Sequence, residues 1–260
     1  MFKQQNDQGK YKFKVVVVEC PYDIYTEDSF TRNFMTDLFK LKFEGYMKHY
    51  PYGIMPVSDY DFMATHVCLC IEEGNKIVPL AAFKSISNEI CKKFRAPFPV
   101  ISHKFGMYKE NFKDYVDAIT QWQNNLEAKS KKYAYNASWT MRTDLDKELR
   151  NLCREISQSL FFYHYHDQDL LNVINSTACS HGVNTFQEYM GLKYLKSVRG
   201  EFMEPFKSPV FFEEPFAIMY LEEPGFSELF AKECQKYKSV WENRLIINKA
   251  SLASTQKKAA

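Results

Sequence analysis

Hydrophobic positions in the first part of the chain follow two spacings, and each predicts a type of element. Residues 11–20 (YKFKVVVVEC) are rich in β-branched side chains, which predicts a strand. Between residues 28 and 47 apolar side chains recur every three or four positions, which predicts a helix. Residues 65–72 and 76–85 predict two strands joined as an antiparallel hairpin.

The middle of the chain repeats this alternation. Residues 88–109 are irregular and lead into an amphipathic helix that ends near Leu126. A strand is predicted over residues 133–142, and a helix over residues 145–160, whose leucines and isoleucine form a continuous apolar face.

The last third is predicted to contain several short elements. We expect a buried strand at residues 160–165, a helix at 168–180 that ends at Gly182, and a short helix at 186–190. Two closing strands within 192–202 and 209–221 and a final helix over 227–244 complete the order.

This order predicts one α+β domain over residues 11–247. A mixed, mostly antiparallel central sheet would be flanked by helices, with a helical insertion at about 88–130 and an extra C-terminal helix. We expect a flexible N-terminus at residues 1–10 and a flexible tail at 248–260.

Composition removes several functional classes. Only 9 of the 260 residues are Gly, and none of the patterns GxG, GxxxxGK or GxSxG occurs. Dinucleotide-binding fingerprints, P-loops and nucleophile elbows all depend on such glycines. The net charge of +2 gives no reason to expect a nucleic-acid partner.

Cysteine usage and hydropathy predict the compartment. The seven cysteines are odd in number and scattered, which favours reduced thiols over a disulfide framework. The longest apolar run near the start, residues 15–18, is far too short for a membrane span. We expect a cytoplasmic protein with no membrane span.

Two short motifs give the element order a more specific meaning. Residues 59–66 (DYDFMATH) and 186–192 (FQEYMGL) resemble segments of the GNAT acyltransferase superfamily, in particular the acyl-homoserine-lactone synthases and N-acyl amino acid synthases. The resemblance implies an N-acyltransferase that moves an acyl group from coenzyme A or acyl carrier protein, as a co-substrate, to a small-molecule amine. We expect no covalently bound cofactor and no metal.

The resemblance also implies roles for residues on the acceptor side. Asp59, Asp61 and His66 would bind the amine and accept its proton. Arg32 and Phe39 on the preceding helix would contact substrate. Taken without the resemblance, the two aspartates are ordinary turn residues and His66 is a core residue of an apolar strand.

On the donor side, the resemblance assigns Trp139, Thr140 and Arg142 to binding of the co-substrate. Tyr189 would protonate the leaving thiolate, because Gln187 stands where many members of the superfamily have tyrosine.

The sequence departs from the superfamily at its phosphate-binding loop. Residues 142–147 (RTDLDK) have Leu145 and Lys147 in place of glycines, and Asp144 and Asp146 are better explained as helix-capping residues. This departure supports an alternative function, a catalytically inactive scaffold that binds a ligand or a protein.

Two further groups of residues allow other interpretations. If residues 160–165 form a strand, His164 and His166 share a face, which suggests a metal-dependent hydrolase as a weaker alternative. The pairs Lys92-Lys93 and Lys131-Lys132 are either solvated loop charges or a docking site for an acidic carrier protein.

Overall fold

The fold is described from a computed structural model. It describes residues 11–49, 56–74, 76–102, 109–179, 182–207, 214–223 and 225–259. The elements of the first half, in chain order, are β1 (Phe13–Glu19), α1 (Ser29–His49), α2 (Tyr60–Met63), β2 (Thr65–Glu73), β3 (Lys76–Ser87), α3 (Asn88–Phe94), α4 (Pro99–Ser102) and α5 (Lys109–Ala128).

The second half begins with β4, and its strands are shorter on average. Its elements are β4 (Ala134–Met141), α6 (Lys147–Asp167), β5 (Val173–Ala178), α7 (Val183–Met190), β6 (Lys193–Tyr194), β7 (Phe206–Lys207), β8 (Pro215–Leu221), α8 (Glu228–Cys234), α9 (Lys238–Glu242), β9 (Leu245–Ile247) and α10 (Lys249–Ala259).

In the described part of the chain, nine strands form one sheet. Eight of them follow the order β6-β8-β5-β4-β3-β2-β1-β9, and β7 pairs with β8. The pairs β4–β5 and β1–β9 are parallel, and the other pairs are antiparallel. The expected fold class, a mixed and mostly antiparallel sheet flanked by helices, is confirmed.

The two faces of the sheet carry different helices, because successive side chains of a strand point to opposite faces. Val67, Leu69 and Phe83 pack on the face that α6 covers. Cys68 and Ala82 pack on the opposite face against α1. The insertion helix α5 packs on the later strands of the sheet, with Ile119 among its buried residues.

The predictions for residues 160–165 and 168–180 are wrong. Residues 160–165 belong to α6, which contacts both the sheet and the helices α8 and α9. A helix buried on several sides shows a continuous apolar run, and such a run has the same appearance as a buried strand. The strand lies instead at β5, and Gly182 (φ 70°) precedes α7 rather than ending a helix.

Four other segments differ from expectation. The closing strand expected within 192–202 is only two residues long, as β6, and β7 lies outside both expected closing strands. The irregular stretch at 88–109 contains α3, which Ser87 caps by accepting a hydrogen bond from the Ile90 N–H, and α4. The final helix is interrupted by a 3₁₀ turn between α8 and α9. The short strand β9 was missed, and residues 249–259 of the expected tail are helical in α10.

Among the described residues, no helix combines the length and the apolar character needed to cross a bilayer. All seven cysteines lie in the described part, and each is a free thiol, as the sequence predicts.

Candidate functional site

The sheet opens between β4 and β5. These parallel strands pair at three positions, from Ala134 opposite Val173 to Asn136 opposite Asn175. Beyond them β5 pairs with β8 as far as Ala178, while β4 pairs with β3. Within the described residues, no strand pairs with β4 on its β5 side after Asn136. An extended ligand that carries amide groups can pair with such an edge as an added strand.

A β-bulge lies in β4 at this opening. Ala82 of β3 pairs with Thr140, and Lys84 pairs with Ala137, so that Ser138 and Trp139 together face one residue of β3. Ser138 has φ 58°, in the left-handed region. A bulge bends its strand and increases its twist, which accounts for the divergence of β4 from β5.

A buried charged cluster lies on the α1 face of the sheet. Lys42 of α1 and Lys84 of β3 donate to opposite oxygens of Asp61 in α2; the Lys84–Asp61 distance is 2.8 Å. The Asp61 side chain is 0% exposed, and the exposed fraction of each lysine side chain is 5% or less. The Ser58 N–H also donates to Asp61 Oδ2, at 2.8 Å.

These contacts fix the charge of Asp61. Burial alone would raise its pKa, but attraction to Lys42 and Lys84 outweighs burial and holds the pKa well below the usual range. For Lys42, burial and repulsion by Lys84 outweigh Asp61 and lower the pKa to about 8. Asp61 therefore stays ionised and is a poor proton acceptor.

His66 adjoins the cluster on β2, directly across from Lys84 in the strand register. Its Nε2–H donates to the main-chain carbonyl of Asp61 at 2.6 Å, because a carbonyl oxygen only accepts. Its buried Nδ1 has no partner in the described part of the structure. Burial, then repulsion by Lys42, lowers the pKa of His66 to about 3, so the ring is neutral at physiological pH.

The other residues expected on the acceptor side are more dispersed. Asp59 is exposed at the start of α2 and makes no capping hydrogen bond through its side chain. Phe39 contacts Phe62 of α2 edge to face, with ring centroids 5.7 Å apart. Arg32 Nη1 donates to the carbonyl of Thr26 at 2.8 Å, which holds the turn before α1.

On the donor side, Trp139 lies at the bulge. Its ring stacks on Phe83, with centroids 5.1 Å apart, and its side chain remains 37% exposed. Thr140 turns to the other face of the sheet, where its Oγ1 donates to the carbonyl of Leu41 at 3.4 Å. A Cβ on Gly45 of α1 would collide with this Oγ1, so α1 crosses β4 in close contact.

Arg142 is already engaged by a carboxylate. Its Nε and Nη2 donate to Asp144 at 2.9 and 2.6 Å in a bidentate pair. Asp146 caps α6 by accepting from the Leu149 N–H at 2.8 Å. The capping role expected for Asp146 is confirmed, whereas Asp144 binds Arg142 instead.

Tyr189 faces away from the opening. It is 38% exposed, and its ring contacts Phe230 of α8, with centroids 6.3 Å apart. Gln187, two positions earlier and so roughly 200° around the helix, is buried and accepts a hydrogen bond from Thr177 of β5 at 2.5 Å. The side chain of α7 that reaches the opened strand is therefore Gln187.

A buried polar row at the inner end of the opening was missed from the sequence. Asn136 and Asn175 are paired neighbours, and Tyr165 of α6 donates to Asn136 Oδ1 at 3.4 Å. Asn136 Nδ2 is buried with no partner in the described part of the structure. The available signal was an asparagine directly after a pair of apolar residues in each segment, Ala134-Tyr135 and Val173-Ile174.

Lys42 was also missed, although the sequence contains a signal for it. Lys42 follows Leu38 by four positions and Met35 by seven, so it belongs to the apolar face of α1. A lysine on a buried helix face requires a carboxylate partner, which Asp61 supplies.

The metal alternative loses its geometric basis, because His164 and His166 lie on a helix and not on a strand. His164 is buried, and the His166 side chain is 61% exposed. No group of three or more potential metal ligands occurs among the described residues.

The two lysine pairs, which could be either solvated loop charges or a docking site for a carrier protein, are each matched by carboxylates. Lys92 lies 3.1 Å from Glu127, and Lys131 lies 2.8 Å from Glu223. Lys93 and Lys132 pair in the same way with Asp23 and Glu89.

No family model and no curated protein matches the sequence. Solved structures, however, are similar to it. The AHL synthase LasI is similar, with a TM-score of 0.51 at 10% identity, over 82% of this chain and 90% of that chain. The CoA-dependent acyl-homoserine lactone synthase MesI is similar as well, with a TM-score of 0.51 at 6% identity, over 86% of this chain and 94% of that chain. The chain therefore has a GNAT fold and resembles the AHL synthases in structure.

Proposed function

We propose that this protein is an acyltransferase that moves an acyl group from a thioester of coenzyme A to the amine of a small molecule. The observation that carries the proposal is the opening between β4 and β5, bordered by the bulge at Ser138 and Trp139. The donor arm, which contains amides, pairs with the free edge of β4, and Trp139 flanks it.

The acceptor amine reacts at the β4–β5 opening. Its nitrogen attacks the thioester carbonyl carbon, a C–N bond forms and the C–S bond breaks. The proton that the attacking nitrogen loses passes to the sulfur, which leaves as a thiol. The amine arrives as an ammonium ion and must first lose a proton. Asp61 is held between two lysines and the Lys42 side chain is only 1% exposed, so we assign the loss of this proton to solvent, before the attack.

Two observations favour coenzyme A over an acidic carrier protein as donor. The four lysines that would form a docking surface are neutralised by carboxylates. Arg142 is occupied by Asp144, so the phosphates of the donor receive little help from this loop. The donor is held mainly by its arm, and its binding depends only weakly on salt.

The test is a transfer assay with short and long acyl-CoAs, the same acyl groups on carrier protein, and a panel of amines, read by mass spectrometry of the product. Trp139→Ala is expected to raise the KM for the donor. Its control is Phe202→Ala, another exposed aromatic, 69% exposed beside Lys196. Transfer from carrier protein alone would contradict the choice of donor.

The second candidate is a scaffold that binds without catalysis. The occupied Arg142 and the outward direction of Tyr189 favour it. It predicts that no acyl donor in the panel is consumed, and that neither acyl-CoA nor acyl carrier protein raises the unfolding temperature.

A further inference from the structure

A surface cavity of about 300 Å³ lies among α3, the loop that follows it, α5 and the start of β4. Tyr133, which lines it, precedes β4, whereas the β4–β5 opening begins beyond Asn136. The cavity is therefore at the opposite end of β4 from the proposed donor site. Its volume lies at the lower end of the range for small-molecule sites.

The walls of the cavity are mainly apolar. Phe98 and Tyr133 meet edge to face, with centroids 5.1 Å apart and an interplanar angle of 73°. Ala96, Pro97 and the buried Cys91 complete this surface. Two rings held at a fixed angle favour a flat or slender apolar body.

The polar lining has an excess of positive charge. Lys92 pairs with Glu127 at 3.1 Å, and Glu127 also accepts from the Tyr133 hydroxyl at 3.0 Å. Arg95 lines the same cavity, is exposed, and has neither an ion pair nor a side-chain hydrogen bond within the described part of the chain. Among the residues that the structure describes, no carboxylate pairs with this cation.

Arg95 also occupies a backbone position that favours another residue. It follows the last residue of α3 with φ 51°, and its N–H closes the helix end. Glycine takes this left-handed conformation without strain. Arg95→Gly therefore removes the guanidinium without opposing the local backbone.

We propose that this cavity binds a small organic anion that carries a flat or slender apolar body, with its carboxylate on Arg95 and its body against Phe98 and Tyr133. The site is distinct from the proposed acyl-transfer site and does not depend on that function. It contacts that region, however, because the Tyr60 hydroxyl, next to Asp61, donates to the Pro97 carbonyl at 2.7 Å.

The test uses thermal unfolding of the full chain with four probes. Benzoate and hexanoate, which combine charge and body, are expected to raise the unfolding temperature in a saturable way. Benzyl alcohol, a ring without charge, and inorganic phosphate, a charge without a body, are expected to have little effect.

The key variant is Arg95→Gly, which should remain folded and lose the shift caused by benzoate. Its matched control is Lys93→Gln on the same helix, because Lys93 pairs with Asp23 and does not line the cavity. The control should keep the shift. As a second readout, benzoate should slow the alkylation of Cys91 in the native wild type but not in Arg95→Gly.

The proposal is overturned if neither carboxylate gives a saturable shift or protects Cys91. An equal benzoate shift in wild type and Arg95→Gly would overturn it as well. Neither result bears on acyl transfer, which is assayed separately.

Discussion

The imidazole Nε2–H of His66 donates to the main-chain carbonyl of Asp61, 2.6 Å away. This contact ties the short helix α2 to strand β2, five residues further along the chain. It holds the Asp61 carboxylate beneath α1, where Lys42 and Lys84 bind it. His66 thus positions the charged cluster while itself remaining neutral.

The two aspartates of α2 are expected to differ sharply in their effect on stability. Asp61→Asn leaves two buried ammonium groups without a counter-charge and should cost about 3–5 kcal/mol of unfolding free energy. Asp59→Asn changes an exposed carboxylate and should stay within about 0.5 kcal/mol. Urea unfolding of both variants measures the difference, and similar losses would contradict a special role for Asp61.

Lys42 should make stability depend on alkaline pH. Its pKa is about 8 in the folded protein against 10.5 as the ordinary value, so between these values the unfolded chain binds more protons. Stability therefore rises with pH across this window. Lys42→Met has no titrating group at this position. The contribution of Lys42 is therefore the pH-dependent part of the difference in unfolding free energy between wild type and variant. A pH-independent difference would show that Lys42 titrates normally.

His164 is expected to cost stability. Both ring nitrogens are buried without a partner in the described structure, and burial lowers its pKa to about 3 from 6.5. His164→Leu should raise the unfolding free energy by about 1 kcal/mol at neutral pH, because it removes two unsatisfied polar atoms. The wild type should also lose stability as pH falls from 6.5 towards 3, and the variant should lose less. His66→Leu, which leaves the Asp61 carbonyl unpaired, should destabilise instead.

Gly45 and Thr140 should be coupled. Gly45→Ala places a methyl group against Thr140 Oγ1 and should cost about 1–3 kcal/mol by pushing α1 away from β4. Thr140→Ala removes that oxygen, so the double variant should recover much of the loss. Denaturant unfolding of the four proteins gives the coupling energy, and additive losses would argue against direct contact.

Elements with a clear local pattern were predictable. The strands β1 to β3 and the helix α1 were placed within a few residues, because β1 and β2 contain short runs of β-branched and other apolar residues and α1 has apolar residues at helical spacing. The end of α6 was predicted as a strand, and the segment that contains β5 was predicted as a helix. Burial on several sides removes the polar stripe of α6, and Asn175 and Thr177 lie where the alternation of β5 would require apolar residues.

The sequence by itself determined the alternation of helices and strands, the scarcity of glycine, and the presence of Asp61 and His66 beside a buried strand. These properties depend on spacing and residue type, which are local. Only the tertiary structure decided that Asp61 is locked between Lys42 and Lys84, that Gln187 rather than Tyr189 reaches β5, and that β4 leaves β5. The charge of a group and its partners depend on burial and on segments distant in sequence, which local spacing does not specify.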